Sequence, residues 1–386
     1  MRTGREHANK TELCLVAPKA YGLLSGDTRA LHIGGAEVQQ CLIARGLAGR
    51  GHAVAMVTLD VGQADGRSCD GVLAFRSYRL GDGLPGLRFF WPRMMRLWTA
   101  MERADATTYY QRTSDSLTGL VAAFCRVRRR RFVFSVGEDG DCLPSLPNCA
   151  TRRERTLYRW GLGRADVVVA QTRGQAQMLR EHFGRTSVLI RSAAPDPGEP
   201  SVIPDGDRPR FVWVGRLAAQ KRPEMLLELA RRCPDADFDV VGARSSGEPA
   251  AAFAAAAAEV SNVHVHGFVQ HAEVGLFYDR ATALLCTSAR EGFPNTFLEA
   301  WSRGRPVLTT VDPDGVVARE GVGLVAENVE GLEDAVHCHG TRREQWRAMA
   351  RRARAYYLRE HRPARILDDY ESLLKAVGPP GDPCSR

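Results

Sequence analysis

The stretch Phe211-Val-Trp-Val-Gly-Arg-Leu-Ala-Ala-Gln-Lys-Arg-Pro223 decides how the whole chain is read. Phe211–Val214 is a short apolar run, the pattern of a strand covered on both faces. Gly215 then permits a tight turn, and Pro223 suits the first turn of a helix. Strand, turn and helix in this order make half of a βαβ unit, the building block of parallel α/β sheets. Arg216 and Lys221 stand in the turn. Two cations at the carboxyl end of a strand can receive a phosphate group; taken alone, they are equally well two solvated loop charges.

The same alternation extends in both directions. Downstream, a helix over Pro223–Cys233 leads to strands at Phe238–Gly242, Val263–His266, Ala283–Cys286 and Pro306–Thr310, with a helix at Pro294–Arg303. Upstream, strands are expected at Glu12–Ala17, His52–Leu59, Arg131–Val136, Asp166–Ala170 and Ser187–Ile190, with an amphipathic helix over Gly35–Arg50 after the first. Between the two series lies Ser192–Pro209, rich in Pro, Gly and Asp and without periodicity, which reads as a linker. Two α/β domains follow: 1–191 and 210–354, joined by 192–209. A length of 386 residues suits two domains.

Composition narrows the function. The chain is 44% hydrophobic and 25% charged, an ordinary globular balance. Lys and Arg number 53 against 45 Asp and Glu, a net charge of +8, which suits a nucleic acid, an anionic membrane face or a phosphorylated small molecule. The polar start, Met1-Arg-Thr-Gly-Arg-Glu-His7, lacks a secretory apolar core, and no stretch approaches a membrane span; the Ala-rich run Ala250–Ala258 reads as a short surface helix. The ten cysteines include no CxxC and read as reduced thiols in a cytoplasmic protein. Phosphate-binding GxxxxGK[ST], a GxGxxG after the first strand, HExxH and EF-hand patterns are all missing. Asp-x-Asp recurs at 139–141, 205–207, 237–239 and 312–314, too often to mark a metal site, so none is expected. Nucleic acid is disfavoured, because no stacking-aromatic motif or zinc finger accompanies the charge.

Two further segments carry chemistry. In Ser288-Ala-Arg-Glu-Gly-Phe-Pro-Asn-Thr-Phe-Leu-Glu299, Glu291 lies in the loop after a strand, and Phe293, Pro294, Asn295 and Thr296 open a helix whose N-terminus favours anions. Glu299 follows about one turn further in. The two carboxylates can grip two ends of an extended polyol–phosphate ligand; a capping group and a solvated helix residue would look the same. Gly34 and Gly35, in His32-Ile-Gly-Gly-Ala-Glu37, allow close backbone approach between the first strand and its helix.

Together these segments resemble glycosyltransferase family 4, the group 1 retaining nucleotide-sugar transferases. Glu291 and Glu299 match the family's Glu-x7-Glu motif, Gly215-Arg216 and Lys221 its donor-phosphate residues, and Gly34-Gly35-Ala-Glu37 its N-terminal glycine loop. The resemblance covers roughly residues 11–375. It implies the α/β GT-B fold, two facing Rossmann-like domains with a cleft between them, and a C-terminal helix, taken as about 355–375, crossing back to the first domain. It implies a nucleotide-diphosphate sugar as donor, a glycan or lipid-linked acceptor, and no cofactor or metal. Arg216 and Lys221 would hold the donor diphosphate, Glu291 the sugar, Glu299 the ribose, and Gly215, Phe293, Pro294, Asn295 and Thr296 would line the donor, with Gly34 and Gly35 opposite. Many members carry a His after the strand equivalent to Arg131–Val136; here Glu138 and Asp139 stand there, as candidate acceptor contacts or as a solvated turn. The implied function is transfer in cell-surface polysaccharide or glycolipid synthesis. A non-catalytic sugar-nucleotide-binding relative, an epimerase and a phosphorylase share the fold. Leu87–Trp98, which interleaves Arg with aromatics and Met, and Arg128–Arg131 suit an anionic membrane face; a core-packed helix with a solvated face fits the first equally well.

Overall fold

The computed structural model describes residues 10–26, 34–84, 89–200, 202–204, 206, 208–242 and 248–378. His32, Asp205, Asp207, Leu87 and Cys384, all singled out in the sequence, lie outside them. The chain divides into two compact units, Met1–Ile190 with Ala364–Arg386, and Arg191–Pro363.

The first unit contains strands β1 (Leu13–Val16), β2 (Val54–Thr58), β3 (Arg67–Cys69), β4 (Val72–Arg76), β5 (Thr108–Arg112), β6 (Arg131–Ser135), β7 (Val167–Ala170) and β8 (Val188–Leu189). Its helices are α1 (Tyr21–Ser25), α2 (Gly35–Gly49), α3 (Met95–Ala104), α4 (Ser116–Arg128), α5 (Arg152–Leu162) and α6 (Arg173–Phe183). The strands form one sheet in the order β3-β4-β2-β1-β5-β6-β7-β8. Only the β3–β4 pair is antiparallel. Helix starts are set locally: Asp115 caps α4 through Leu117 N (2.7 Å), Thr172 caps α6 through Gln175 N (3.0 Å), and Thr151 and Glu154 form a reciprocal box at α5.

The second unit contains β9 (Arg210–Val214), β10 (Asp237–Val241), β11 (Val263–Gly267), β12 (Ala283–Cys286), β13 (Val307–Thr309) and β14 (Gly323–Val325). Its helices are α7 (Pro223–Arg232), α8 (Glu248–Ala258), α9 (His271–Arg280), α10 (Asn295–Ser302), α11 (Val316–Glu320), α12 (Val329–His337) and α13 (Arg343–Glu360). The sheet is wholly parallel, in the order β11-β10-β9-β12-β13-β14. Alternate residues serve opposite faces: Phe211, Trp213, Phe238 and Leu285 join one core cluster, and Val212, Val241, Leu284 and Cys286 the other. Strands buried on both faces are why the sequence shows continuous apolar runs.

The structure differs from the sequence reading in three places. The single helix expected over 355–375 is two: α13 ends at Glu360, and α14 (Pro363–Val377) starts with a proline, which has no N–H to continue a helix. Strands β3, β4, β5 and β14 were not anticipated; β5, Thr-Tyr-Tyr-Gln-Arg, is buried throughout yet carries three polar residues. The stretch read as a linker begins anchored: Ser192, Ala193 and Ala194 are buried, His361 Nδ1 lies 2.8 Å from Ser192 O, and the Tyr357 hydroxyl donates to Ala194 O (2.9 Å). The nine described cysteines are free, and eight are buried.

Helix α14 is tied to the first unit by charge. Arg50 pairs with Asp368 (2.7 Å) and Glu371 (3.3 Å), and His52 contacts Glu12 (2.6 Å) and Glu371 (3.3 Å). The Glu12 hydrogen bond leads in raising the imidazole above its usual value, against a desolvation cost. A raised histidine stabilises fully below its unfolded pKa and loses that contribution as pH rises through the folded value. The melting-temperature difference between wild type and His52→Gln is therefore expected to be largest below the ordinary imidazole pKa and to shrink as pH rises above it; a difference that grows with pH contradicts the pairing. The α4–α5 crossing is closed by glycine: a Cβ at Gly161 would lie 2.5 Å from Thr118 O, and one at Gly119 2.7 Å from Leu157 O. Gly161→Ala is expected to cost about 1–3 kcal/mol in urea unfolding.

Candidate functional site

In chain order the strands of the second sheet run 3-2-1-4-5-6, so the winding reverses between β9 and β12. Parallel sheets bind ligands outside the carboxyl ends of their strands at such a reversal, because the connecting helices leave in opposite directions and open a crevice. The loops there are Gly215–Arg222, after β9, and Thr287–Pro294, after β12. They are the segments that the sequence singles out.

Hydrogen bonds stitch the two loops together. Ala289 N donates to Gln220 O (2.8 Å), Gln220 Nε2 to Arg290 O (2.8 Å), and Thr287 Oγ1 to Lys221 O (2.6 Å). Trp213 Nε1 donates to Thr287 Oγ1 (3.1 Å) from inside the core. Arg222 is the main clasp: its guanidinium donates to Thr287 O (2.7 Å), Ser288 O (3.0 Å) and Thr310 Oγ1 (2.8 Å). It sits at a left-handed φ of 46° immediately before Pro223 opens α7. Sequence reading passed over Arg222; a cation next to Lys221 was visible, but its acceptors lie 65 to 88 residues away.

Lys221 Nζ contacts Glu291 Oε1, the two side chains being 25% and 12% exposed. One expected donor contact is thus joined to another, and Glu291 fixes the direction of the ammonium. Arg216 is exposed, and its guanidinium has no partner among the described residues. Arg222 is satisfied by carbonyl and hydroxyl oxygens and keeps its charge uncompensated by a carboxylate. The loops therefore combine four cations, Arg216, Lys221, Arg222 and Arg290, with one anion, Glu291, a positive excess where strand ends converge.

Helix α10 begins beside them. Pro294 occupies the cap position without a side-chain hydrogen bond, and Asn295 and Thr296 form the first turn, where partial positive charge favours an anion. Phe293 is buried and packs against Trp301 (6.0 Å) and His361 (5.1 Å), so its ring holds the loop down while its backbone stays at the helix entrance. Glu299 accepts from the Tyr278 hydroxyl (2.8 Å). Burial, and after it Glu299, pushes that phenol well above its ordinary value, so it stays a donor. Gly215 adjoins Lys221: a Cβ there would come 3.8 Å from Lys221 Cδ. Gly242, at φ +95°, approaches so closely that a Cβ would lie 3.1 Å from Gly215 O. Its N–H donates to Gly267 O (2.8 Å). Glycines thus end β9, β10 and β11, a feature legible in sequence only as separate turns.

The remaining candidates belong to the first unit. Gly34 caps α2, and a Cβ there would meet the Glu37 carboxylate at 2.3 Å; Gly35 is exposed. Glu138 caps the short turn Asp139–Cys142, and Asp139 accepts from Gln175 Nε2 (3.0 Å). The turn is organised by Asp141, fully buried, which accepts from Ser114 Oγ (2.6 Å), Gly137 N (2.7 Å) and Asn148 Nδ2 (3.2 Å); burial raises its carboxyl. Sequence reading missed Asp141 because nothing local distinguishes it from Asp139. Other Asp-x-Asp residues are absorbed in ion pairs and caps: Asp237 with Arg208 and Arg210, Asp239 with Arg210, His266 and Arg280, and Asp312 at the start of α11.

Residues 33–192 match the model of Glycosyltransferase Family 4, and residues 208–341 that of Glycosyl transferases group 1. The chain belongs to glycosyltransferase family 4, group 1. An O-antigen biosynthesis glycosyltransferase of Escherichia coli, WbnH, is 31% identical over 125 residues, 31% of this chain and 34% of that protein. A lipopolysaccharide 1,6-galactosyltransferase of Salmonella typhimurium is 36% identical over 114 residues, 28% of this chain and 32% of that protein. The matched region spans about a third of these relatives. Sucrose-phosphate synthase of Thermosynechococcus elongatus superposes with a TM-score of 0.78 at 17% identity, over 95% of this chain and 99% of that one. HepE of Anabaena, solved with UDP and glucose, gives 0.74 at 14% identity, over 95% and 100%. The family has the GT-B fold, and this chain has it too.

Arg222 and Arg216 are separable by stability. Arg222→Met is expected to lower the unfolding free energy by about 2–3 kcal/mol, since two acceptors on buried residues, Thr287 and Ser288, and the half-buried Thr310 hydroxyl lose a charged donor. Arg216→Met is expected to change it by less than about 0.5 kcal/mol. Urea unfolding checks both.

Proposed function

We propose that the chain is a retaining glycosyltransferase that moves a sugar from a nucleotide-diphosphate sugar onto a glycan or lipid-linked acceptor in O-antigen or related cell-surface polysaccharide synthesis. The observation that carries this is the Lys221–Glu291 pair at the β9/β12 reversal, with Arg216, unpaired among the described residues, in the same loop. Sugar transfer from a diphosphate builds negative charge on the leaving group, and fixed cations stabilise it most where little reorganisation is needed. Lys221, aimed by Glu291, and Arg216 hold the diphosphate and neutralise that charge. The α10 entrance, Phe293 to Thr296, offers backbone N–H groups to the donor, with Gly215 keeping the approach clear. Glu291 binds sugar hydroxyls through its second oxygen, and Glu299, oriented by Tyr278, binds the ribose. In this reading Gly34 and Gly35 are further donor contacts, and Glu138 and Asp139 acceptor contacts, with the Glu138 amide held by Asp141 (3.3 Å).

The reaction needs neither metal nor cofactor in this scheme, because Arg216 and Lys221 supply the positive charge. HepE was solved with UDP-glucose, which makes UDP-sugars the first donors to assay. Among the described residues no helix is long and apolar enough to cross a membrane; we place the enzyme in the cytoplasm, peripheral on the membrane face. The cationic run 128–131 contributes little there: Arg128, Arg130 and Arg131 pair with Glu102, Asp105 and Asp166. Leu97 and Met101 of α3 are core residues, while Trp91 and Met95 are exposed.

Arg216→Ala, Lys221→Ala and Glu291→Ala are each expected to lower donor turnover about 10²–10³-fold, the scale of removing one preorganised charge contact. Rates equal to wild type in all three contradict the proposal. Release of nucleoside diphosphate only when acceptor is present separates transfer from epimerisation, and tight donor binding without turnover on any acceptor would identify a sugar-nucleotide sensor.

A further inference from the structure

The second unit begins at Arg191 and ends at Pro363, so the chain enters it at one place and leaves it at another. Within the second unit those two places are bonded to each other. Arg191 pairs with Glu360 (3.1 Å), Ala194 N donates to His361 O (3.4 Å), and Asp196 pairs with Arg354 (2.8 Å). The entering segment, residues 191–198, is thus fastened to the last turns of α13. Helix α10 is fastened to the same segment: Arg354 also donates to Ser302 O, at the end of α10 (2.6 Å), and to Gly198 O (2.6 Å).

His361 makes the corresponding link at the other end of α10. It follows the last residue of α13 and is fully buried. Its Nδ1 lies 2.8 Å from Ser192 O; a carbonyl can only accept, so this nitrogen carries the proton. Its ring packs on Phe293 (5.1 Å), Tyr356 (5.3 Å) and Trp301 (6.3 Å). Phe293 is the side chain that holds down the α10 entrance. One imidazole therefore touches the entrance with its face and the entering segment with its edge. An asparagine could donate to Ser192 but has no ring to meet Phe293, and a phenylalanine could pack but has nothing to donate; histidine does both.

We infer that His361 is a positioning residue, which ties the α10 entrance to the segment where the chain enters the second unit, so that a nucleotide held at the entrance also steadies residues 191–198. A ligand bonded to the backbone at Phe293–Thr296 fixes the Phe293 ring. A close-packed aromatic cluster does not deform continuously, so the imidazole takes up the restraint and passes it to Ser192 through one hydrogen bond. Order gained at one place is then felt at the other, and the coupling is reciprocal: loosening the link weakens the ligand. The inference rests on the transferase reading only in taking the α10 entrance to receive the donor diphosphate.

The test is amide hydrogen exchange on the full chain, read on peptides covering 191–198 and 293–299, free and with saturating UDP, GDP, ADP or dTDP, with calorimetry giving each affinity. In wild type the nucleotide that binds is expected to slow exchange in both peptides about threefold or more. His361→Asn keeps the donor to Ser192 and removes the ring. It is expected to speed exchange of 293–299 in the free protein, to weaken the nucleotide about fivefold and to leave 191–198 unprotected on binding. His361→Phe keeps the ring and removes the donor, so binding is expected to protect 293–299 as in wild type but not 191–198. Each variant severs the link at a different end, so one that folds, checked by its melting temperature, suffices beside the wild-type result. Protection confined to 293–299 in wild type, protection of 191–198 that persists in the variants, or both peptides loosened alike by either variant overturns the inference. If a nucleotide binds and 191–198 does not respond, the link falls and the transferase reading stands. If none of the four binds, the transferase reading fails, and the free protein still decides the link: 293–299 loosened by His361→Asn and not by His361→Phe upholds it, and equal loosening removes it.

Discussion

A parallel sheet whose winding reverses leaves a crevice at the carboxyl ends of two strands, and what fills its floor decides what the sheet can bind. In the second unit that floor is a pair of loops held by Arg222. Its guanidinium reaches three oxygens of the β12 and β13 ends, and Thr287 returns a bond to Lys221 O while accepting one from buried Trp213. The clasp is ordinary hydrogen bonding, yet it fixes the backbone of Lys221 and leaves its ammonium to be aimed by Glu291. The placement of these charges thus follows from a structural arginine whose donors are spent on backbone and hydroxyl oxygens.

The same division of labour appears elsewhere. Tyr278, kept protonated by burial, orients Glu299. Buried Asp141 gathers backbone and side-chain donors and so presents Glu138 and Asp139. Phe293 secures the α10 entrance by packing into the Trp301 and His361 cluster. Glu299, Glu138 and Asp139 are half-buried groups that each stand on a buried partner, which limits side-chain wandering.

Much of this architecture could be read from the chain. Leu-Cys-Leu-Val at β1, Val-Val-Val-Ala at β7 and Ala-Leu-Leu-Cys at β12 are strands covered on both faces, and such burial demands continuous apolar runs. The positions of Lys221 and Glu291 in loops at strand ends, and of Glu299 about a turn into the next helix, were legible from turn and helix-start chemistry. What escaped depends on distant partners. Thr108–Arg112 is a strand because β1 and β6 flank it, not because of its own pattern. The role of Arg222 is written in carbonyl oxygens of another loop. Lys221 and Glu291 were each singled out, but their contact depends on how β9 and β12 adjoin in the sheet. The break at Pro363 was locally visible, and the amphipathic pattern running across it concealed it.

The central claim is that the β9/β12 loops hold the diphosphate of a sugar nucleotide. Thermal unfolding of the full chain against UDP-, GDP-, ADP- and dTDP-sugars tests it most directly, since a ligand that binds only the folded state raises the transition by mass action. The account predicts that one nucleotide class raises the melting temperature of wild type and that Arg216→Ala, itself as stable as wild type, loses most of the shift. No shift with any of the four, or a shift unchanged by Arg216→Ala, contradicts it.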